Sequence, residues 1–172
     1  MGQELRWFIS WWFMESYIVN AVGIWFFSHA SRRYLYLLRN DTRHPDSWGL
    51  PGGKCNRGES LLDGILRECW EELGMRFDQS KFLPIEKFTS VEGTFVYHTF
   101  FCAVETEFVP ILNDEHQGYA WLDSGVWPRP MHPGLWNTVN LDTVQQKIQL
   151  IEKNLESAHN HTNNTLIARK AV

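Results

Sequence analysis

The hydrophobic positions of the chain follow two rhythms. Tyr17–Phe27, Arg33–Arg39, Phe82–Thr89 and Phe95–Val104 are short runs rich in β-branched and aromatic residues, and each reads as a strand. Ser28–Arg32 is a turn between the first two, so these are expected to pair as a hairpin. Pro84 marks the third run as an edge strand or a bulge, because proline cannot donate to a ladder. Glu92-Gly93-Thr94 turns the chain into the fourth run, the strongest strand signal in the sequence. Tyr119–Leu122 is a shorter strand, reached through the polar loop 113–118.

The second rhythm is helical. Leu62, Ile65, Leu66, Cys69 and Leu73 recur three and four apart, bounded by Ser60 and by Gly74, a natural helix stop. From Thr138 onward, Leu141, Val144, Ile148, Ile151 and Leu155 do the same. This face is read as packing on the sheet, with a homodimer seam as the alternative. The prolines of Trp127–Trp136 exclude regular structure, so this stretch is read as a loop rich in pocket-lining residues. Residues 158–172 are polar and read as a disordered tail. The pattern predicts one α+β domain over residues 17–157, a mixed sheet with helices against it.

Residues 1–16 are read as an N-terminal extension. The segment is dense in aromatics, but Arg6, Glu15, Ser16 and Asn20 interrupt it, and a membrane span needs roughly 20 mostly apolar residues. Met14 offers a second start, which would make residues 1–13 dispensable. A packed helix or a partner-binding patch is the rival reading.

Charge and cysteine content narrow the class. The formal net charge is −4 with no long basic run, so a nucleic-acid partner is not expected. Cys55, Cys69 and Cys102 form no Cys-x-x-Cys pattern, and Cys69 lies in an apolar helical stripe. This usage suits a reducing, cytoplasmic setting.

The chemistry concentrates between Trp48 and Met75. A glycine-rich loop, Leu50-Pro51-Gly52-Gly53, runs into a helix on which Glu68, Glu71 and Glu72 share a face held outward from the apolar stripe. Such crowded carboxylates repel unless a cation neutralises them. Hard oxygen donors favour Mg²⁺ or Mn²⁺ over zinc, and Gly52 and Gly53 bring a backbone carbonyl within reach of such an ion.

These residues resemble the Nudix box, G-x5-E-x7-R-E-U-x-E-E-x-G-U, with U a bulky aliphatic residue. Gly53, Glu59, Arg67, Glu68, Glu71, Glu72, Gly74 and Met75 match, and Cys69 replaces the usual aliphatic residue. At ordinary residue frequencies the seven fixed positions match by chance on the order of once in 10⁹ starts. Looser similarity to small phage and bacterial members extends over residues 17–155.

The resemblance implies the Nudix fold, a mixed β-sheet sandwiched between helices (α/β/α), and a Mg²⁺-dependent hydrolase, with Mn²⁺ as substitute. Its substrate would be a nucleoside diphosphate linked to another moiety, such as ADP-ribose, FAD, a diadenosine polyphosphate or a nucleotide-sugar. The alternatives are a sanitising hydrolase of nucleoside triphosphates and a non-catalytic nucleotide sensor. Carried over by position, Glu68, Glu71, Glu72 and the Gly52 carbonyl are the metal ligands, with Glu115 a further ligand. Arg67 orients the carboxylates together with Glu59, and Glu68 and Glu115 are the candidate bases. Arg39, Trp48, Tyr97 and His98 are candidate substrate contacts.

Overall fold

A computed structural model describes the backbone of residues 17–170 and the side chains of residues 17–158. The N-terminal extension read at 1–16 lies outside the described residues. Strands β1 (Val19–Ser28), β2 (Arg33–Arg39), β3 (Trp48–Gly49), β4 (Phe82–Thr89), β5 (Phe95–Val104) and β6 (His116–Asp123) form one mixed sheet. Helix α1 (Leu61–Leu73) covers one face; α2 (Pro133–Val139) and α3 (Asp142–Lys170) belong to the other. The expected α+β sandwich is the fold observed.

β1 is the central strand, and its side chains build both cores. Val22, Ile24 and Phe26 join Leu35, Leu37, Phe100 and Cys102 under α1, packed on Ile65, Cys69 and Leu73. The alternate residues Trp25 and Phe27 join Tyr34, Tyr36 and Phe101 on the opposite face, against Leu135, Val144 and Ile148. A strand buried on both sides is apolar on both faces, which is why Ala21–Phe27 shows no alternation of apolar and polar residues. Ile65 is fully buried in the α1 core. Ile65→Ala is therefore expected to cost roughly 2–5 kcal/mol in denaturant unfolding. A loss below about 1 kcal/mol, the size of a surface change, would remove Ile65 from the core.

The expected hairpin forms only in part. β1 pairs with β5 in parallel along its whole length, from Val19↔Phe95 to Ser28↔Val104. Its other edge meets β2 at Phe27↔Tyr34. Further along that edge the glycine loop takes over: Val22 N–H donates to Gly53 O and Ile24 N–H to Pro51 O, both at 2.8 Å. β2, displaced from most of β1, pairs instead with β6 from Arg33↔Asp123 to Arg39↔His116. This lengthens β6 beyond the short strand expected at 119–122. β4 is an edge strand, and its register shifts between Pro84 and Glu86, as the proline suggested.

Two other expectations need correction. The proline-rich loop ends at Pro133, where α2 begins: proline is tolerated at the first helical position, and the His132 ring accepts from Gly134 N–H at 3.1 Å. Thr138 belongs to this short helix, and Leu141 lies exposed between α2 and α3. Val144, Ile148, Ile151 and Leu155 pack on the sheet core. The stretch from 158, expected to be disordered, is helical backbone as far as Lys170. No proline or glycine interrupts it, and Leu166, Ile167, Ala168, Arg169 and Lys170 tolerate helix well. No helix among the described residues is long and apolar enough to cross a membrane.

Candidate active site

Local signals fix α1 at both ends. Ser60 caps its start, accepting from Asp63 N–H at 3.1 Å. Gly74, at φ 64°, closes it with its N–H on Trp70 O at 3.1 Å, and Met75 N–H reaches Cys69 O at 3.2 Å. Between these caps the helix carries Arg67, Glu68, Glu71 and Glu72 toward the glycine loop.

Arg67 gathers the acidic residues. Its Nε and Nη2 grip both oxygens of Glu59, at 2.9 and 3.0 Å. Its Nη1 donates to Glu68 Oε1 at 2.9 Å and Glu71 Oε2 at 2.8 Å, and Nη2 also reaches Lys54 O at 3.0 Å. Bidentate pairing of this kind fixes orientation as well as charge. The Arg67 hydrogen bonds hold the Glu59 carboxyl below its ordinary value of 4.5.

Glu68 and Glu72 are not held outward to solvent, as the helix pattern alone suggested. They are 7% and 3% exposed, whereas Glu71 is open. Gly52 N–H donates to Glu72 Oε2 at 2.6 Å, so loop and helix meet at this carboxylate. Burial drives Glu72 well above the ordinary range, against the pull of Gly52 N–H; Glu68 and Glu115 add to the rise. Burial likewise raises Glu68, opposed by Arg67 and reinforced by Glu71 and Glu115. The four carboxylates thus act on one another, and Arg67 neutralises only part of their charge. His116 Nε2 lies 3.7 Å from Glu72 Oε1, but burial depresses this imidazole to about 4. It is neutral near pH 7, so the contact is not an ion pair.

Oxygen donors with unrelieved negative charge fit a hard divalent cation. Among the described residues, no three His, Cys, Asp or Glu side chains are already set around a common metal position; Arg67 holds Glu68 and Glu71 instead. The carbonyls of Pro51 and Gly53 are taken by β1.

Part of this cluster borders a cleft of about 1100 Å³, whereas Glu72 lies buried behind its lining. Gly52, Gly53, Arg67, Glu68, Glu71 and Glu115 line it, together with Arg39 and Tyr97 among the expected substrate contacts. Trp48 and His98 do not. Trp48 packs against the Tyr34–Leu135 core, and His98 Nε2 lies 3.3 Å from Asn20 Oδ1 on the opposite face of β5 from Tyr97. Tyr97 is accommodated because Gly23 has no side chain: a Cβ there would lie 1.8 Å from the Tyr97 hydroxyl oxygen. A glycine inside a strand signals such close approach.

Several cleft residues were missed from the sequence, among them Arg43, His44, Glu86, Phe88 and Phe95. His132, Gly134, Leu135 and Trp136 come from the segment expected to line a pocket.

The sequence model of the NUDIX domain matches residues 18–139. The chain is 27% identical over 120 residues to a dihydroneopterin triphosphate diphosphatase of Haemophilus influenzae, covering 61% of this chain and 74% of that protein. It is 32% identical over 102 residues to the nucleoside triphosphatase NudI of Escherichia fergusonii, covering 52% and 72% respectively. Among solved structures, a MutT NUDIX hydrolase from Burkholderia pseudomallei superposes with a TM-score of 0.56 at 21% identity, over 74% of this chain and 97% of that one.

Proposed function

Because the chain belongs to the NUDIX domain family, we propose that it is a divalent-metal-dependent pyrophosphohydrolase acting on the triphosphate of a nucleoside or related heterocycle. The observation that carries this reading is the convergence of Glu68, Glu71 and Glu115 at a cleft that Arg39 and Arg43 also line, with Glu72 buried beside them. Carboxylates supply a metal site, and guanidiniums suit the phosphate oxygens that a metal leaves uncovered. The relatives named for nucleoside triphosphates and for dihydroneopterin triphosphate favour a triphosphate substrate. The competing reading is a nucleoside diphosphate linked to another moiety, and the large cleft volume favours it.

Glu68, Glu71, Glu72 and the Gly52 carbonyl would hold the metal, with Glu115 as a further ligand. A divalent cation held there would supply positive charge for the phosphate oxygens and would lower the pKa of the attacking water. Arg67 fixes the rotamers of Glu59, Glu68 and Glu71. Either Glu68 or Glu115 accepts the proton from water. The one whose Gln variant abolishes the acid limb of the kcat–pH profile is the base.

A screen with Mg²⁺ tests the proposal: nucleoside triphosphates, dihydroneopterin triphosphate, ADP-ribose, FAD, diadenosine triphosphate and GDP-sugars. A monophosphate plus inorganic pyrophosphate from a triphosphate is the expected result. Turnover of only the diphosphate-linked compounds moves the assignment to the competing reading, and turnover of none leaves a nucleotide sensor.

Proton linkage gives a second test. The folded values of Glu68 and Glu72 lie above their ordinary 4.5. Without metal their contribution to stability is present below that value and is lost as pH rises through the folded values. A divalent cation competes with those protons, so Mg²⁺ should raise Tm more at about pH 8 than at about pH 5.5. Thermal unfolding with EDTA and with Mg²⁺ checks this; an equal shift at both pH values counts against the carboxylate site.

A further inference from the structure

Away from the Arg67 cluster, the cleft is walled by the edge of the sheet. β4 and β5 pair antiparallel there, with Glu86 opposite Thr99 and Phe88 opposite Tyr97. Glu86, Phe88, Phe95 and Tyr97 line the cleft from this wall, and Trp136 of α2 lines it as well. Phe88 and Trp136 are 50% and 43% exposed, so large aromatic surfaces stand open in the cleft. Such surfaces suit the faces of a planar heterocycle.

Glu86 is the acidic group within this aromatic wall. One of its oxygens, Oε2, lies 3.5 Å from Thr99 Oγ1, a long contact. No salt-bridge partner lies within reach among the described residues; Lys147, its nearest cationic influence, donates from Nζ to Ile85 O at 2.7 Å. An ionised carboxylate accepts through both oxygens, so Glu86 keeps acceptor capacity for a ligand. A half-buried acceptor beside stacking surfaces selects a ring edge with adjacent N–H donors and disfavours an edge with an acceptor there.

We propose that Glu86 is the specificity-determining residue of the cleft and reads a heterocycle with two adjacent N–H donors, a ring N–H beside an exocyclic amino group, as on guanine or a pterin. This rests on the triphosphate reading above and names the class of base within it. Phe88 and Trp136 stack on the ring, and Glu86 supplies the directional contact. Hypoxanthine keeps only the ring N–H, and adenine presents an unprotonated ring nitrogen at that edge.

Equilibrium binding of the α,β-imido analogues of GTP, ITP and ATP, in which the bond expected to break is replaced, tests the inference without relying on turnover. The full chain should prefer guanine over hypoxanthine by about fivefold or more, and adenine should bind more weakly still. Glu86→Gln keeps the side-chain shape but replaces one acceptor oxygen by a donor amide, and should bring the guanine-to-hypoxanthine ratio to within about twofold. Phe88→Leu should weaken all three analogues together and preserve their ratio, because stacking tolerates any base. Thermal unfolding establishes that each variant is folded. Equal affinity of the unaltered chain for all three bases, or an unchanged ratio in Glu86→Gln, overturns the assignment. A guanine preference without Mg²⁺-dependent product would uphold Glu86 and refute the hydrolase. Hydrolysis with no base preference would do the reverse.

Discussion

Glu72→Gln is expected to lower kcat by about 100-fold or more at saturating Mg²⁺ while the protein stays folded. Glu72 is 3% exposed, and Oε2 accepts the Gly52 N–H at 2.6 Å. The substituted amide has the same shape and one carbonyl oxygen, which can keep that bond and hold the glycine loop on the helix. What disappears is a negative charge in a buried site already crowded by Glu68 and Glu115. Removing it relieves repulsion, so the apo variant should be as stable as the parent or more so. The same change weakens the set of anions proposed to hold the metal. Loss of activity with undiminished Tm is thus the signature of a functional carboxylate, whereas joint loss would mark a structural one. Turnover close to normal would rule out Glu72 as a ligand. Measuring kcat and Tm together, across a Mg²⁺ titration, separates these outcomes.

The contrast between these effects and the sequence pattern shows how far local information reaches. Helix α1 was legible because its determinants are neighbours in the chain: the Ser60 cap, the Gly74 stop, and the apolar positions Ile65, Cys69 and Leu73. Arg67 and Glu59 were readable for the same reason, being eight residues apart and joined by two hydrogen bonds from one guanidinium edge. The orientation of Glu68 and Glu72 was not. A helical repeat places them off the core stripe, but what lies over that face is decided by chain arriving from elsewhere: Gly52, Gly53 and His116. The partial hairpin has the same origin. Nothing in β1 or β2 alone announces that residues 51–53 occupy an edge of β1 or that β6 captures β2.

Side-chain assignments to the cleft followed the same division. Tyr97 and His98 are adjacent and both suit a binding site; the pleat puts one in the cleft and the other beside Asn20. Choosing between them requires knowing which face of β5 carries the cleft. Glu86 is harder still, because the register shift between Pro84 and Glu86 resets which β4 residues share a face with Phe95 and Tyr97. Pro84 signals that a bulge exists, yet its effect on facing depends on the pairing with β5. Gly23 was the usable clue, a glycine inside a β-branched run that foretells a bulky neighbour.

The glycine pair of the loop should separate stability from activity most sharply. Gly52 has φ 135°, a conformation side-chain-bearing residues rarely adopt, and a Cβ there would lie 2.2 Å from Val22 O and 2.9 Å from Gly23 Cα. Both are backbone atoms of the central strand and cannot move aside locally, so Gly52→Ala must detach the loop from β1. Backbone strain of 1–3 kcal/mol with the lost pairing suggests roughly 3 kcal/mol, a fall in Tm of about 10 °C. Gly53 is different. Its added Cβ would lie 2.6 Å from Glu68 Oε1, the far end of a flexible side chain. Glu68 can rotate away, so Gly53→Ala should change Tm by no more than about 3 °C, the effect of about 1 kcal/mol in a chain of this size. That rotation breaks the 2.9 Å contact with Arg67 Nη1 and moves a proposed ligand by an ångström or more. Misplacement on that scale can cost about 100-fold, so kcat/KM should fall between about 10- and 100-fold. Thermal unfolding and steady-state kinetics on the two alanine variants test the pair. If Gly53→Ala loses stability as Gly52→Ala does, or keeps full activity, Glu68 is not held in its working position by the space that Gly53 leaves.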